Sequence, residues 1–153
     1  MTQGLYLEDL KVGDRFQSGH YEMKEDDMIA FAKEFDPQVF HVDPDKAKDT
    51  FFQGLAASGW HTASATMRLM VDSVPFAKGS IGAGVNLKWP SPTRSGDILQ
   101  AESVITKISR PESKPNQGFV TIETTSKNQD GEVRMIITSM VVIFTRDHYQ
   151  ETE

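Results

Sequence analysis

Over residues 60–74 the chain carries only two charges, Arg68 and Asp72, and small or apolar side chains fill most of the other positions. A segment of this kind has no broad polar face to give to water, which predicts a helix buried over most of its surface. Ser58 or Gly59 stands where a cap belongs, and Pro75 stands where the helix has to stop. Past Pro75 the pattern turns to β character over residues 81–89, 98–108, 119–127 and 133–145. Asp130-Gly131 is placed to join the last two runs through a tight primed turn, because Asp-Gly tolerates positive φ. One antiparallel sheet laid over one buried helix satisfies both needs, so the expectation is a single α+β domain over residues 1–153.

Upstream, Met28, Phe31, Ala32 and Phe35 recur at i, i+3, i+4 and i+7 behind an acidic first turn of Glu25, Asp26 and Asp27. That spacing predicts an amphipathic helix over residues 24–35, preceded by a short strand. Pro37 disfavours helical backbone at Asp36, so the helix is expected to end there and Asp36 to open a long loop. Pro90-Ser91-Pro92 is too short for a linker and reads as a break between strands.

Composition closes off several classes of function. A formal charge of −6 supplies no global basic field for a phosphate backbone, so no nucleic-acid partner is expected. With no cysteine, disulfides, thiolate nucleophiles and zinc ribbons are all excluded. The first 20 residues hold Glu8, Asp9 and Asp14 and no apolar run, and no later stretch approaches the ~18 apolar residues of a membrane helix. The expected location is the cytoplasm, with no membrane partner.

Familiar motifs fail as well. Gly82-Ala83-Gly84 lacks the third glycine of a dinucleotide loop and precedes strand-like sequence. Lys78-Gly79-Ser80 lacks the lead-in of a phosphate loop, and Ser58 lacks the setting of a nucleophile elbow. His20, His41, His61 and His148 lie far apart and form no metal-binding pair, so no metal is expected. What remains is Asp36 and His41, a carboxylate and an imidazole five residues apart after a helix. Spacing alone does not separate such a pair from a helix-end aspartate and a packing histidine.

The wider sequence does. Residues 36–43, Asp-Pro-Gln-Val-Phe-His-Val-Asp, and residues 52–62, Phe-Gln-Gly-Leu-Ala-Ala-Ser-Gly-Trp-His-Thr, resemble the MaoC-like dehydratases, relatives of the (R)-specific enoyl-CoA hydratases. The likeness extends to residues 7–14, to the Asn86-Leu87-Lys88-Trp89-Pro90 run and to Arg94-Ser95-Gly96-Asp97. It implies a hot-dog fold, an antiparallel sheet wrapped around a long central helix. It further implies that Asp36 and His41 hold the reacting water, that the Gly59 amide binds the thioester oxygen, and that two copies join their sheets as a homodimer or a dimer of dimers. The substrate would be an acyl-CoA or acyl-carrier-protein thioester. No separate cofactor is then needed, since CoA or phosphopantetheine arrives with the substrate. The hydratase signature Gly-Asp-x-Asn-Pro-x-His is altered here: Phe35 stands for the glycine, Gln38 for the asparagine and Val39 for the proline.

Hydration of an enoyl thioester needs a base for water, an acid for C2 and a donor for the carbonyl oxygen, and this residue set supplies all three. A thioesterase and a non-catalytic acyl-binding or partner subunit are the alternatives within the same fold. Phe40 and Trp60, with Phe51 and Phe52, are candidates for an acyl pocket, although aromatics of this kind are more often core. His61 reads as a packing residue. Lys88, Arg94, Arg110 and Lys114 read as solvated strand-end charges or as phosphate contacts.

Overall fold

The computed structural model describes residues 4–150; the first and last three residues of the expected 1–153 domain lie outside the described residues. Five strands, β1 (Arg15–Glu22), β2 (Ile81–Lys88), β3 (Ile98–Ser109), β4 (Gln117–Lys127) and β5 (Val133–Phe144), form one antiparallel sheet in the order β1-β3-β4-β5-β2. The helices are α1 (Glu25–Phe35), the single turns α2 (Val39–Val42) and α3 (Pro44–Ala47), the long α4 (Gly59–Ser73) and a short C-terminal α5 (Arg146–Gln150). This is the expected α+β hot-dog arrangement.

Strand alternation explains how the sheet takes α4. Leu99, Ala101 and Ile105 of β3, Val120 and Ile122 of β4, and Met135 and Ile137 of β5 point inward and are buried, while their neighbours, the buried Arg134 apart, are more exposed. Leu69 of α4 and Met28 of α1 pack with Leu99 and Ala101 in one cluster, and Met70 packs with Met135 and Ile137 in another. Truncating a buried leucine such as Leu69 to alanine would cost ~2–5 kcal/mol. A third cluster joins Leu7 and Leu10 to Ile105, Val120 and Ile143, tying the N-terminal segment to the far end of the sheet.

Two expectations need correction. Helix α4 is not covered on most sides: His61, Thr62, Ala65, Thr66, Leu69 and Met70 are buried, but Trp60, Met67 and Val71 are 52–66% exposed. A single sheet covers one face of a helix, and among the described residues nothing covers the other. The hairpin between β4 and β5 is also wider than a two-residue primed turn. The Asn128 amide donates to the Glu132 carbonyl and the Gly131 amide to the Asn128 carbonyl, and only Gly131 adopts positive φ, at +79°. Asp130 keeps negative φ, so the left-handed position falls on glycine alone, where no Cβ opposes it.

No helix of the described residues is long and apolar enough to cross a membrane.

Candidate active site

Asp36 sits at the C-cap of α1, where Pro37 stops the helix, with φ −152° and its amide still donating to the Ala32 carbonyl. The chain then turns at once into α2. His41 therefore lies on a helical turn of four residues, not on an open loop, a segment too short to leave a periodic signal. The turn folds the imidazole back toward the carboxylate, so that His41 Nε2 lies 3.3 Å from Asp36 Oδ2.

Each group is held from behind. His41 is 6% exposed, and its Nδ1 lies 2.6 Å from the Ala56 carbonyl oxygen. A carbonyl can only accept, so Nδ1 carries hydrogen in this bond and Nε2 is the nitrogen turned to Asp36. The Ala56 amide donates in turn to the Phe40 carbonyl at 3.0 Å, closing a two-bond link between α2 and the segment before α4. On the other side, Ser58 Oγ donates to Asp36 Oδ2 at 2.7 Å and Gln38 Nε2 to Asp36 Oδ1 at 2.6 Å. Burial alone would raise the Asp36 carboxyl. The hydrogen bonds from Gln38 and Ser58, helped by His41, outweigh it and hold the pKa below the ordinary carboxylate value.

Ser58 is the side chain of the candidate site that the linear sequence hides. It occupies the N-cap position of α4, but its hydroxyl makes no cap bond; it is fully buried and committed to Asp36, 22 residues away. Gln38, standing where the hydratase signature has asparagine, makes the other bond to the carboxylate.

Asp36 and His41 open onto a cavity of about 400 Å³ lined also by Phe51, Phe52, Gly59, Trp60, Thr62 and the 89–93 segment. That size suits part of a small-molecule substrate. A larger depression of about 550 Å³ lies over solvent-side positions of β1, β3 and β4, among Arg15, Gln17, Glu102, Glu123 and Lys127. Its close charge pair, Arg15 and Glu102 at 2.7 Å, is exposed and has a guanidinium that keeps its proton, so the smaller cavity is the candidate site. Phe51, Phe52 and Trp60 line it as the sequence suggests. Phe40 does not: it packs edge-on against His41 at 4.6 Å and against Phe52 at 5.0 Å, behind the imidazole.

Gly59 is the first residue of α4 and lies on the cavity wall. The first amides of a helix have no acceptor within the helix and sit at the positive end of its dipole. Glycine is required here for a reason that the sequence does not show. A Cβ on Gly59 would come within 2.7 Å of Trp89 Cε2, and the Trp89 indole donates to the Gly59 carbonyl at 3.0 Å. The indole, not the vacant cavity, is the first thing that a side chain would meet.

His61, one turn away on the face toward α1, is equally buried but stacks on Phe31 at 4.8 Å and lies outside the cavity lining. Arg94 is not a solvated strand-end charge: it is half-buried, and its guanidinium is bonded to backbone carbonyls.

The sequence and the fold have counterparts among known proteins. A MaoC-like dehydratase of Rhodospirillum rubrum is 49% identical and superposes with a TM-score of 0.91, covering 94% of this chain and 99% of its own. An (R)-hydratase of A. caviae involved in PHA biosynthesis is 28% identical with a TM-score of 0.70, covering 86% and 96%. The uncharacterized protein YdeM of Bacillus subtilis is 27% identical over 140 residues, 86% of this chain and 97% of that one. The family model described as MaoC like domain matches residues 11–128, from before β1 through β4 and so across the whole Asp36–His41 site, and the chain belongs to that family.

Proposed function

We propose that the chain is a hydro-lyase that adds water to a trans-2-enoyl thioester to give the (R)-3-hydroxyacyl thioester, or runs the reverse dehydration. The observation that carries this reading is the 3.3 Å approach of His41 Nε2 to Asp36 Oδ2 at the mouth of a cavity whose wall includes the start of α4. The (R) configuration is taken from the family's hydratases.

With Nδ1 committed to Ala56, Nε2 meets the carboxylate favourably only when one proton lies between them. The pair thus carries one proton and one vacancy. Water on the cavity side, bonded to both groups, gives a proton to the vacancy as its oxygen adds to C3; the electrons of the C2–C3 double bond move to the carbonyl, forming an enolate. Collapse of the enolate takes the stored proton at C2, so the pair ends with one proton, as it began. The Gly59 amide, at the positive end of α4, stabilises the enolate oxygen. Phe51, Phe52 and Trp60 give the acyl chain apolar walls. CoA or the phosphopantetheine of an acyl carrier protein enters as part of the substrate, in the cytoplasm, and no other cofactor takes part in these steps.

Purified protein given trans-2-enoyl-CoA thioesters of graded chain length should form (R)-3-hydroxyacyl-CoA, read by chiral separation of the product. Release of free CoA from saturated acyl-CoA, with no hydration, would replace this reading by a thioesterase.

Self-association belongs to the same reading. Trp60, Met67 and Val71 on the open face of α4, and Ile81 and Val85 on the edge strand β2, are all more than half exposed. Met67, Val71 and Gly82 share an apolar depression, so the helix face and the strand edge adjoin. A second copy pairing along β2 would cover both. Sedimentation should give a dimeric mass or a multiple of it; a monomeric mass across the micromolar range would contradict this.

A further inference from the structure

The segment between α3 and α4 carries much of the site, and almost nothing of its own holds it. Phe51 and Phe52 face the cavity, Ala56 supplies the carbonyl behind His41, and Ser58 supplies the hydroxyl on Asp36. Between them the backbone is unusual: Gln53 has φ +55°, the only positive φ among the described non-glycine residues, and Gly54 has φ +155°. Left-handed backbone at a residue with a Cβ persists only where its surroundings impose it.

Arg94 imposes it. Its Nη2 donates to the Phe52 carbonyl at 2.6 Å, and its Nη1 donates to the carbonyls of Gly54 and Leu55, both at 3.1 Å. The neighbouring Thr93 carbonyl accepts from the Ala57 amide at 2.9 Å, so four consecutive-to-near bonds tie residues 52–57 to one short stretch of chain. That stretch is itself anchored. The Arg94 amide donates to Asp97 Oδ2, and Asp97 is buried and paired with Arg134, whose Nε lies 2.8 Å from the same oxygen. A planar guanidinium is suited to hold several carbonyls at fixed angles, which an ammonium on a flexible stem is not.

We infer that Arg94 is a positioning residue for the acid–base pair: by fixing the turn at residues 52–55 it sets the Ala56 carbonyl that selects the His41 tautomer. It touches neither Asp36 nor His41 directly. Loss of the clamp would leave three carbonyls unpaired and the left-handed Gln53 held only by its amide's bond to the Thr50 carbonyl, so that Ala56, still tied through the Phe40 and Thr93 carbonyls, would lose the support on its N-terminal side and meet Nδ1 over a wider range of distances. An imidazole without a fixed acceptor exchanges its hydrogen between Nδ1 and Nε2, and the share in the working form falls. The inference rests on the reading of His41 as half of the pair for its kinetic consequence, but its structural consequence stands apart from catalysis.

The test pairs two readouts on Arg94→Ala and Arg94→Lys. The ring nitrogens of His41, observed by nitrogen-15 NMR above the imidazole titration, should show Nδ1-protonated ring in the wild type and a tautomer mixture in Arg94→Ala, with Arg94→Lys between. With enoyl substrates, kcat should fall by roughly 10²-fold in Arg94→Ala, as for other displacements of catalytic geometry, with KM changed by about twofold or less. The fall should be equal for CoA thioesters and for short N-acetylcysteamine thioesters, which carry no phosphate. A raised KM confined to the CoA substrates would make Arg94 a phosphate contact and overturn the inference. An unchanged tautomer in both variants would overturn it whatever reaction the protein catalyses. If Arg94→Ala does not fold, Arg94→Lys carries both readouts.

Discussion

His41 and His61 are 6% and 7% exposed and lie on helical segments either side of the α4 start, yet they are opposite kinds of residue. His41 has both ring nitrogens engaged, Nδ1 by a carbonyl and Nε2 by a carboxylate, and it borders a cavity. His61 lies with its ring nearly parallel to Phe31, 8° between planes, and its buried Nδ1 has no hydrogen-bond partner among the described residues. Burial pushes its pKa down, only partly opposed by the charge of Asp27. Burial is therefore silent about function. What separates the two rings is whether the protein has supplied groups that make a proton useful.

The largest contrast should appear in turnover. His41→Ala is expected to lower hydratase kcat by ~10²-fold or more, as loss of an acid–base group does, while His61→Phe, which keeps a ring against Phe31, should stay within about threefold of wild type. Enoyl-thioester kinetics on both folded variants decide it. Equal losses would erase the distinction.

A smaller effect is expected at the other end of the cavity. Gly59→Val should lower kcat by roughly 10²-fold or less, because the proposed oxyanion donor is displaced, and should also lower the melting temperature, because the new side chain pushes Trp89 aside. A lowered melting temperature with unchanged kcat per folded site would make Gly59 a packing glycine and leave the oxyanion without its donor.

The smallest contrast concerns stability and pH. The folded-state pKa of His61 is depressed, so the unfolded chain binds a proton more readily than the native one. Its contribution is complete above the unfolded histidine value of about 6.5 and declines as pH falls through that value toward the lower folded one. The wild-type melting temperature should therefore drop on going from neutral to mildly acidic pH, and His61→Phe should flatten the drop. Asp36 also has a depressed pKa, but its loss of stability falls in the carboxylate range, at lower pH. Parallel melting curves for the two proteins would show that His61 is not strained by burial.

Much of this was legible before any coordinates. The i, i+3, i+4, i+7 pattern places α1, Pro37 and Pro75 end the two main helices, and the β runs fall within two residues of the strands. The resemblance picks out Asp36 and His41. The supporting contacts were not legible, for physical reasons. Ser58 looks like a helix cap because a serine before a helix ordinarily is one, and its partner is 22 residues distant. The acceptors for His41 and Arg94 are backbone carbonyls, which every residue has and which leave no mark on sequence. Phe35 repeats the apolar spacing of α1 yet is 67% exposed, because it sits at the helix end, tilted against Phe31, beyond the reach of the sheet. Trp60, Met67 and Val71 made α4 look buried over most of its surface, since composition counts apolar residues without saying which surface will cover them.

The central claim is that the Asp36 carboxylate, held by Ser58 and Gln38 beside His41, takes part in adding water to an enoyl thioester. Its most direct test is the rate of trans-2-enoyl-CoA hydration by wild type and Asp36→Asn at equal concentrations of folded protein. Asparagine keeps the size of the side chain and removes its proton chemistry, so the account predicts turnover by the wild type and a loss of ~10²-fold or more in the variant. Near-wild-type turnover by Asp36→Asn would contradict it.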